Sequence, residues 1–146
     1  MGYDFSGKVA VVTGSAGGIG QAYAEALAVS GASVVVADLD VDRAAAVASG
    51  ITAKGGTALA CDLDVADPSS AAAMVARVTE ELGGIDYLVN NAAIFGDMQL
   101  DLLISVDWDY LQRFLSVNLL GALNCTRACY RSMRKRGGGA VVNQSS

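Results

Sequence analysis

Between residues 13 and 20 the chain reads Thr13-Gly14-Ser15-Ala16-Gly17-Gly18-Ile19-Gly20, directly after the apolar run KVAVVT (8–13). Glycine tolerates backbone angles that other residues avoid, and it leaves room for a ligand to approach the main chain. A strand that turns through such a segment into a helix presents unpaired N–H groups and a positive dipole end to a phosphate. Gly14, Ser15, Gly18, Ile19 and Gly20 are therefore the candidate residues for a pyrophosphate, and Gly20 also lets helix and strand pack closely. Glycine-rich turns without ligands are common. This one gains weight from its place after a first strand, at the opening of a helix and a βαβ unit.

Asp38 is the second element. It lies 18 residues after Gly20, at the end of the run ASVVVA (32–37), and Leu39 follows it. A carboxylate there can accept hydrogen bonds from both hydroxyls of an adenosine ribose and repels the extra phosphate of NADP. No Arg or Lys stands in the turn or directly after Asp38; Arg43 is the nearest, within the next helix. These residues point to NAD. Capping the following helix is the competing role for Asp38, and Asp40 could serve there instead.

The elements that must hold these residues alternate along the chain. Strands are expected at 8–13, 32–37, 57–63 (TALACDL), 85–92 (IDYLVNNA) and 140–146 (AVVNQSS). Helices are expected at 18–30, about 41–49, from Asp67-Pro68 to Leu82, and roughly 107–135. Gly31, Gly55-Gly56, Gly83-Gly84 and Gly137-Gly138-Gly139 supply the breaks. Asp67 with Pro68 reads as an N-cap followed by the first helical position. The order βαβαβαβαβ predicts an α/β fold: a Rossmann-type doubly wound parallel sheet in three layers, α/β/α. Residues 1–146 read as one dinucleotide-binding domain.

Composition narrows the function further. The net charge is −5, which argues against nucleic acid. The one basic cluster, Arg131, Arg134, Lys135 and Arg136, reads as a solvated helix end. No stretch nears the roughly 18 consecutive apolar residues of a membrane span. MGYDFSGK shows no secretory leader, and three cysteines form no CxxC pair, so the cytoplasm is the expected compartment. Cys125 and Cys129 fall on one helix face as buried thiols. The sequence contains no histidine, which excludes Ser-His-Asp chemistry and His-ligated metals.

Together, TGSAGGIG, Asp38, LDV (63–65), NNAA (90–93), Asn118 and VVNQSS resemble the short-chain dehydrogenase/reductase family over essentially the whole chain. The resemblance implies that Asp64 and Val65 end the third strand and flank the adenine, with Asp62-Leu63 as a competing register. It implies that Asn91 and Ala92 contact the cofactor, Ala93 standing where the family has glycine. Asn118 matches the asparagine of the family's catalytic tetrad, which holds a proton-relaying water. It is also an unusual residue inside an amphipathic helix. Ser146 matches the catalytic serine, with Ser145 as the alternative because strand residues alternate in direction.

The family's tyrosine and lysine, four residues apart and downstream of the serine, have no counterpart in these 146 residues. Tyr130 precedes the serine and reads as a packing residue. With five strands and no general acid/base, the sequence is expected to be truncated after the fifth strand and inert alone in redox chemistry. In complete form it is expected to be an NAD(P)-dependent enzyme interconverting a secondary alcohol and a ketone. The alternative is a non-catalytic NAD-binding or assembly module. Trp108, Leu111, Phe114, Leu115, Leu119 and Leu123 are expected to pack mostly on the sheet. By resemblance, their helix also forms the dimer face of a homotetramer.

Overall fold

Short, β-branched, uninterrupted apolar runs are what a parallel sheet covered on both faces requires. In the computed structural model, which describes residues 2–96, 98 and 101–145, those runs form the sheet. β1 (Val9–Thr13) is buried at every position, and β2 (Ser33–Asp38) is buried at its four central ones. With β3 (Thr57–Asp62), β4 (Tyr87–Asn90) and β5 (Ala140–Asn143) they make a five-stranded parallel sheet of order β3-β2-β1-β4-β5.

Period-two alternation divides the core between two faces. Val9, Val11, Val35, Ala37, Cys61 and Leu88 pack against α3 (Pro68–Leu82) and α5 (Gly121–Lys135) through Ala71, Met74, Val78, Cys125, Cys129 and Met133. Ala10, Val12, Val34, Val36 and Val89 face α1 (Gly18–Val29) and α2 (Val41–Ala53) through Ala24, Ala44, Ala48 and Ile51. The result is the expected three-layer Rossmann-type arrangement, described as far as its fifth strand.

Helix ends follow the sequence signals. Asp40 caps α2 by accepting from the Arg43 N–H, so Asp38 is free of that role. Asp67 caps α3 ahead of Pro68, and Gly83 ends it with φ of 82°. α2 runs to Ala53, beyond its expected end, because Gly50 sits in open space and a lone glycine does not break a helix. The strands are shorter than expected. β3 stops at Asp62, which places Asp64 and Val65 past its end, and β4 spans only Tyr87–Asn90.

The largest departure is the expected single helix over 107–135. It is α4 (Trp108–Leu115), a five-residue π-helical turn (Ser116–Leu120) and then α5. Its apolar stripe does not pack mainly on the sheet. Leu111 and Phe114 are half-buried, while Trp108 (66% exposed), Leu115, Leu119 (63%) and Leu123 lie open. Tyr130 is likewise exposed rather than packed, with the Arg134 guanidinium 5.9 Å from its ring centroid.

At the opposite end of the sheet from the glycine turn, Asp86 is buried and receives the Val9 N–H at 2.9 Å and Arg136 Nη2 at 2.8 Å. Lys8 stands 3.7 Å away. Burial pushes this carboxyl up. The Arg136 and Val9 hydrogen bonds and the nearby positive charges outweigh it, so the net displacement is below the usual carboxylate range. Arg136 thus leaves the solvated basic cluster to which its sequence neighbours Arg134 and Lys135 belong.

Candidate functional site

Strand order reverses between β1 and β4, because α1 carries the chain from β1 toward β2 while β4 lies on β1's other side. In open α/β sheets the crevice beyond the strand ends at such a point is where ligands bind. The glycine turn lies there. Gly14 (φ +63°) and Gly18 (φ +56°) use the left-handed region. A Cβ on Gly14 would stand 2.7 Å from the Ala92 Cα, and one on Gly20 would strike the Gly14 carbonyl and come within 2.6 Å of Asn91 Nδ2. Gly18 has nothing within 4 Å of its Cβ position. One side of the turn is therefore packed tight on the end of β4 while the other is open.

α2, α3 and α4 each begin with an aspartate whose side chain accepts a main-chain N–H: Asp40, Asp67 and Asp107. α1 begins with Gly17, which offers no side chain, and has no acidic residue in its first turn. Its dipole end is left for an anion from outside. The residues present therefore fit a pyrophosphate: a cradle that a Cβ would fill, ahead of an uncapped helix.

Several side chains fix the turn. Thr13 Oγ1 accepts the N–H groups of Asn91 and Ala92, both at 3.0 Å. Asn91 Nδ2 returns two bonds, to the carbonyls of Thr13 (3.1 Å) and Gly14 (2.9 Å). Ser15 is fully buried; its hydroxyl donates to the Val12 carbonyl at 2.7 Å and accepts the Ala37 N–H at 3.1 Å. It clips the turn to β2 and its side chain is spent within the protein. Asp38 Oδ2 accepts the Ala16 N–H at 2.9 Å, and Oδ1 accepts from Asp40 at 3.1 Å. Each oxygen keeps a second lone pair for a ligand hydroxyl. Ile19 (62% exposed) and Leu39 (64%) supply apolar surface on the two flanks.

Asp64 is exposed, accepts the Ala66 N–H at 2.9 Å and donates its own to Ser70 Oγ. Val65 is buried instead of lining an open surface. A Cβ on Gly121 would stand 2.7 Å from its Cγ2, and its carbonyl accepts from Asn124. Asn118 lies in the π-helical turn, and its amide grips the Ile94 backbone at 2.7 and 3.1 Å. π-turns recur at functional sites. Ser145 is exposed just past β5, and Ser146 lies outside the described residues.

Three residues named in the sequence reading make contacts it did not assign. Thr13 belongs to the turn's pattern, but its role as acceptor for two N–H groups depends on β4 arriving beside it. Asn90, 6% exposed, donates to Asn143 Oδ1 at 2.8 Å and to Thr126 Oγ1 at 3.2 Å, tying β4 to β5 and α5. Its own Oδ1 has no partner among the described residues. Arg43 reaches back over Gly17.

The three buried cysteines stand apart from this constellation, with thiols raised by burial: Cys125 to about 11 and Cys129 to about 12. Among the described residues no helix is long and apolar enough to cross a membrane, and no group of acidic or sulfur ligands could hold a metal.

Residues 8–146 match the family profile described as short chain dehydrogenase. An uncharacterized oxidoreductase of Mycobacterium tuberculosis is 64% identical over 142 residues, which cover 97% of this chain and 57% of that protein. Galactitol 2-dehydrogenase of Agrobacterium fabrum is 41% identical over 140 residues, 95% of this chain and 52% of that one. A crystal structure of a short-chain type dehydrogenase/reductase from Mycobacterium marinum superposes with a TM-score of 0.91 at 36% identity, covering 98% of this chain and 57% of that one. The chain thus spans a little over half the length of the proteins it matches.

Proposed function

The chain belongs to the short-chain dehydrogenase/reductase family, and from that premise we propose that the whole protein is an NAD(H)-dependent oxidoreductase interconverting a secondary alcohol and a ketone. The uncapped start of α1 behind the glycine turn, with Asp38 beside it, is the observation that carries the reading. Residues 1–146 then serve as the dinucleotide-binding domain. Gly14, Gly18, Ile19 and Gly20 receive the pyrophosphate on main-chain N–H groups, Asp38 and Leu39 hold the adenosine ribose, and the exposed Asp64 lies toward the adenine, with Val65 buried behind it against Gly121. Asn91 and Ala92 border the remaining ribose, with Ser15 acting from beneath by fixing the turn.

When bound, the nicotinamide supplies the acceptor or donor of hydride. This chain's own part is orientation and hydrogen bonding. Ser146, or its neighbour Ser145, hydrogen-bonds the substrate oxygen. Asn118 steadies the segment after β4 that borders the substrate. The galactitol 2-dehydrogenase relative supports small polyhydroxylated alcohols as the first substrates to try. The exposed stripe of Trp108, Leu115, Leu119 and Leu123 supports a homo-oligomer, dimer or tetramer, meeting through α4 and α5. The three free thiols are in keeping with the reducing cytoplasm.

The test is to incubate the whole protein with NAD and a series of polyols and secondary alcohols while following nicotinamide absorbance. Turnover that disappears in Asn118→Ala and in a serine variant is the expected result. NAD binding without turnover of any alcohol or ketone would replace the enzyme reading with a non-catalytic NAD-binding module.

A further inference from the structure

Gln144 follows β5 directly and leads into the pair Ser145-Ser146. The end of that strand is tied to both helical layers. On the α5 side, Asn143 Oδ1 accepts at 2.8 Å from Asn90 Nδ2, which also donates to Thr126. On the α1 side, Gln144 Oε1 accepts the Tyr23 hydroxyl at 2.7 Å, a bond that closes 121 residues of chain. The same amide turns its Nε2 to the Ser145 carbonyl at 3.2 Å, and the Gln144 main-chain N–H donates to the Asn90 carbonyl at 2.9 Å. One side chain thus joins α1 to the pair in which the substrate-binding serine lies.

Tyr23 stands in the second turn of α1, the helix whose uncapped start faces the glycine turn. Its ring is half-buried against the core on that face, and among the described residues Gln144 is the hydroxyl's one partner. Water competes for a hydrogen bond at the surface, so this one adds little to stability. What it fixes is direction. With Oε1 held by the phenol, the planar amide presents Nε2 to the Ser145 carbonyl, and a peptide plane held at its oxygen sets the course of the chain beyond it. A misplacement of about 1 Å in a group that meets the substrate costs on the order of a hundredfold in rate. We propose that Tyr23 is a positioning residue: through the Gln144 amide it ties the segment entering the serine pair to the helix that receives the cofactor, so that substrate oxygen and nicotinamide are held in one frame. The inference rests on the oxidoreductase reading above and deepens it.

The test measures three things on the whole protein: single-turnover hydride transfer from its best alcohol substrate, NAD affinity by calorimetry, and unfolding in urea. Tyr23→Phe removes the hydroxyl and keeps the ring. It should slow hydride transfer by about fivefold or more, while NAD affinity moves by less than about twofold and the urea midpoint holds. Gln144→Leu should slow the step at least as far. Adding Tyr23→Phe to Gln144→Leu should then change nothing more, because both substitutions break the same bond. Wild-type hydride transfer in Tyr23→Phe would overturn the proposal and leave the oxidoreductase reading standing. A matching loss of NAD affinity or of stability would also overturn it, assigning the hydroxyl to the packing of α1. Losses that multiply in the double variant would overturn it as well. A wild type that turns over no alcohol or ketone would overturn both readings.

Discussion

The side chain of Asn118 holds Ile94 by both of its backbone groups: Oδ1 accepts the Ile94 N–H at 2.7 Å, and Nδ2 donates to the Ile94 carbonyl at 3.1 Å. A primary amide is the side chain that can mimic a strand edge in this way, giving one acceptor and one donor in a plane. The segment leaving β4 is thereby fastened to the π-helical turn, 24 residues further along the chain. A role for this asparagine in the reaction would thus run through the segment it positions.

Removing the grip leaves a half-buried N–H and C=O to find water. Asn118→Ala should lower unfolding free energy by about 1–2 kcal/mol. Asn118→Asp, which keeps the acceptor and loses the donor, should fall between. Urea unfolding of the three proteins checks the order, and equal stabilities would contradict it.

Thr13 carries a comparable duty with one oxygen, since two N–H groups converge on it. Thr13→Val preserves shape and removes that acceptor, so about 2 kcal/mol of stability should be lost. Thr13→Ser should recover most of it. Because Asn91 and the turn move together, dinucleotide affinity measured by calorimetry should weaken in Thr13→Val and return in Thr13→Ser.

Asp86 makes stability depend on acid. Its carboxyl titrates lower folded than unfolded, so its contribution is complete above the unfolded value of about 3.9 and is lost as pH falls through the folded value. Unfolding free energy of the wild type should decline below about pH 4, and Asp86→Asn should flatten that decline. Asp86→Ala, which strands both the Val9 N–H and the Arg136 guanidinium, should cost about 3 kcal/mol at neutral pH. Denaturant titrations at several pH values read all three outcomes.

The thiols should be silent in the folded protein. With Cys125 raised to about 11, Cys129 to about 12 and Cys61 also raised by burial, thiolate is scarce at pH 8. A chromogenic disulfide reagent should react slowly with Cys61, Cys125 and Cys129 in the native protein and promptly with all three after denaturation. Fast native labelling would show that α5 opens readily.

How much was legible beforehand follows from the range of each interaction. Strand and helix order was readable because apolar period and glycine punctuation are local, as was the capping of α3 by Asp67. The turn and Asp38 were readable because their spacing along one chain carries the geometry. The π-helical turn was not. Nothing in Ser116–Leu120 marks an extra residue per turn, and the bonds from Asn118 within it reach Ile94, 24 residues earlier in the chain. The exposure of Trp108 and Leu119 was misread for a related reason. Helical spacing identifies a stripe without saying what covers it. The reach of Arg43 over Gly17 depends on how α2 sits beside α1, which only the folded sheet decides.

The strand order also sets a timetable. β1 pairs with β2, which follows one helix later in the chain, so the β1-α1-β2-α2-β3 half can close on itself early in synthesis. Its other neighbour, β4, leads directly into Asn91, which lies 77 residues beyond the Gly14 carbonyl that it holds. Until that stretch has left the ribosome, the glycine turn lacks the amide that braces it, and one flank of β1 is open for pairing with a stray strand. The newborn chain therefore passes through an interval in which its glycine turn is unbraced. Slower translation before residue 91 would lengthen that exposure.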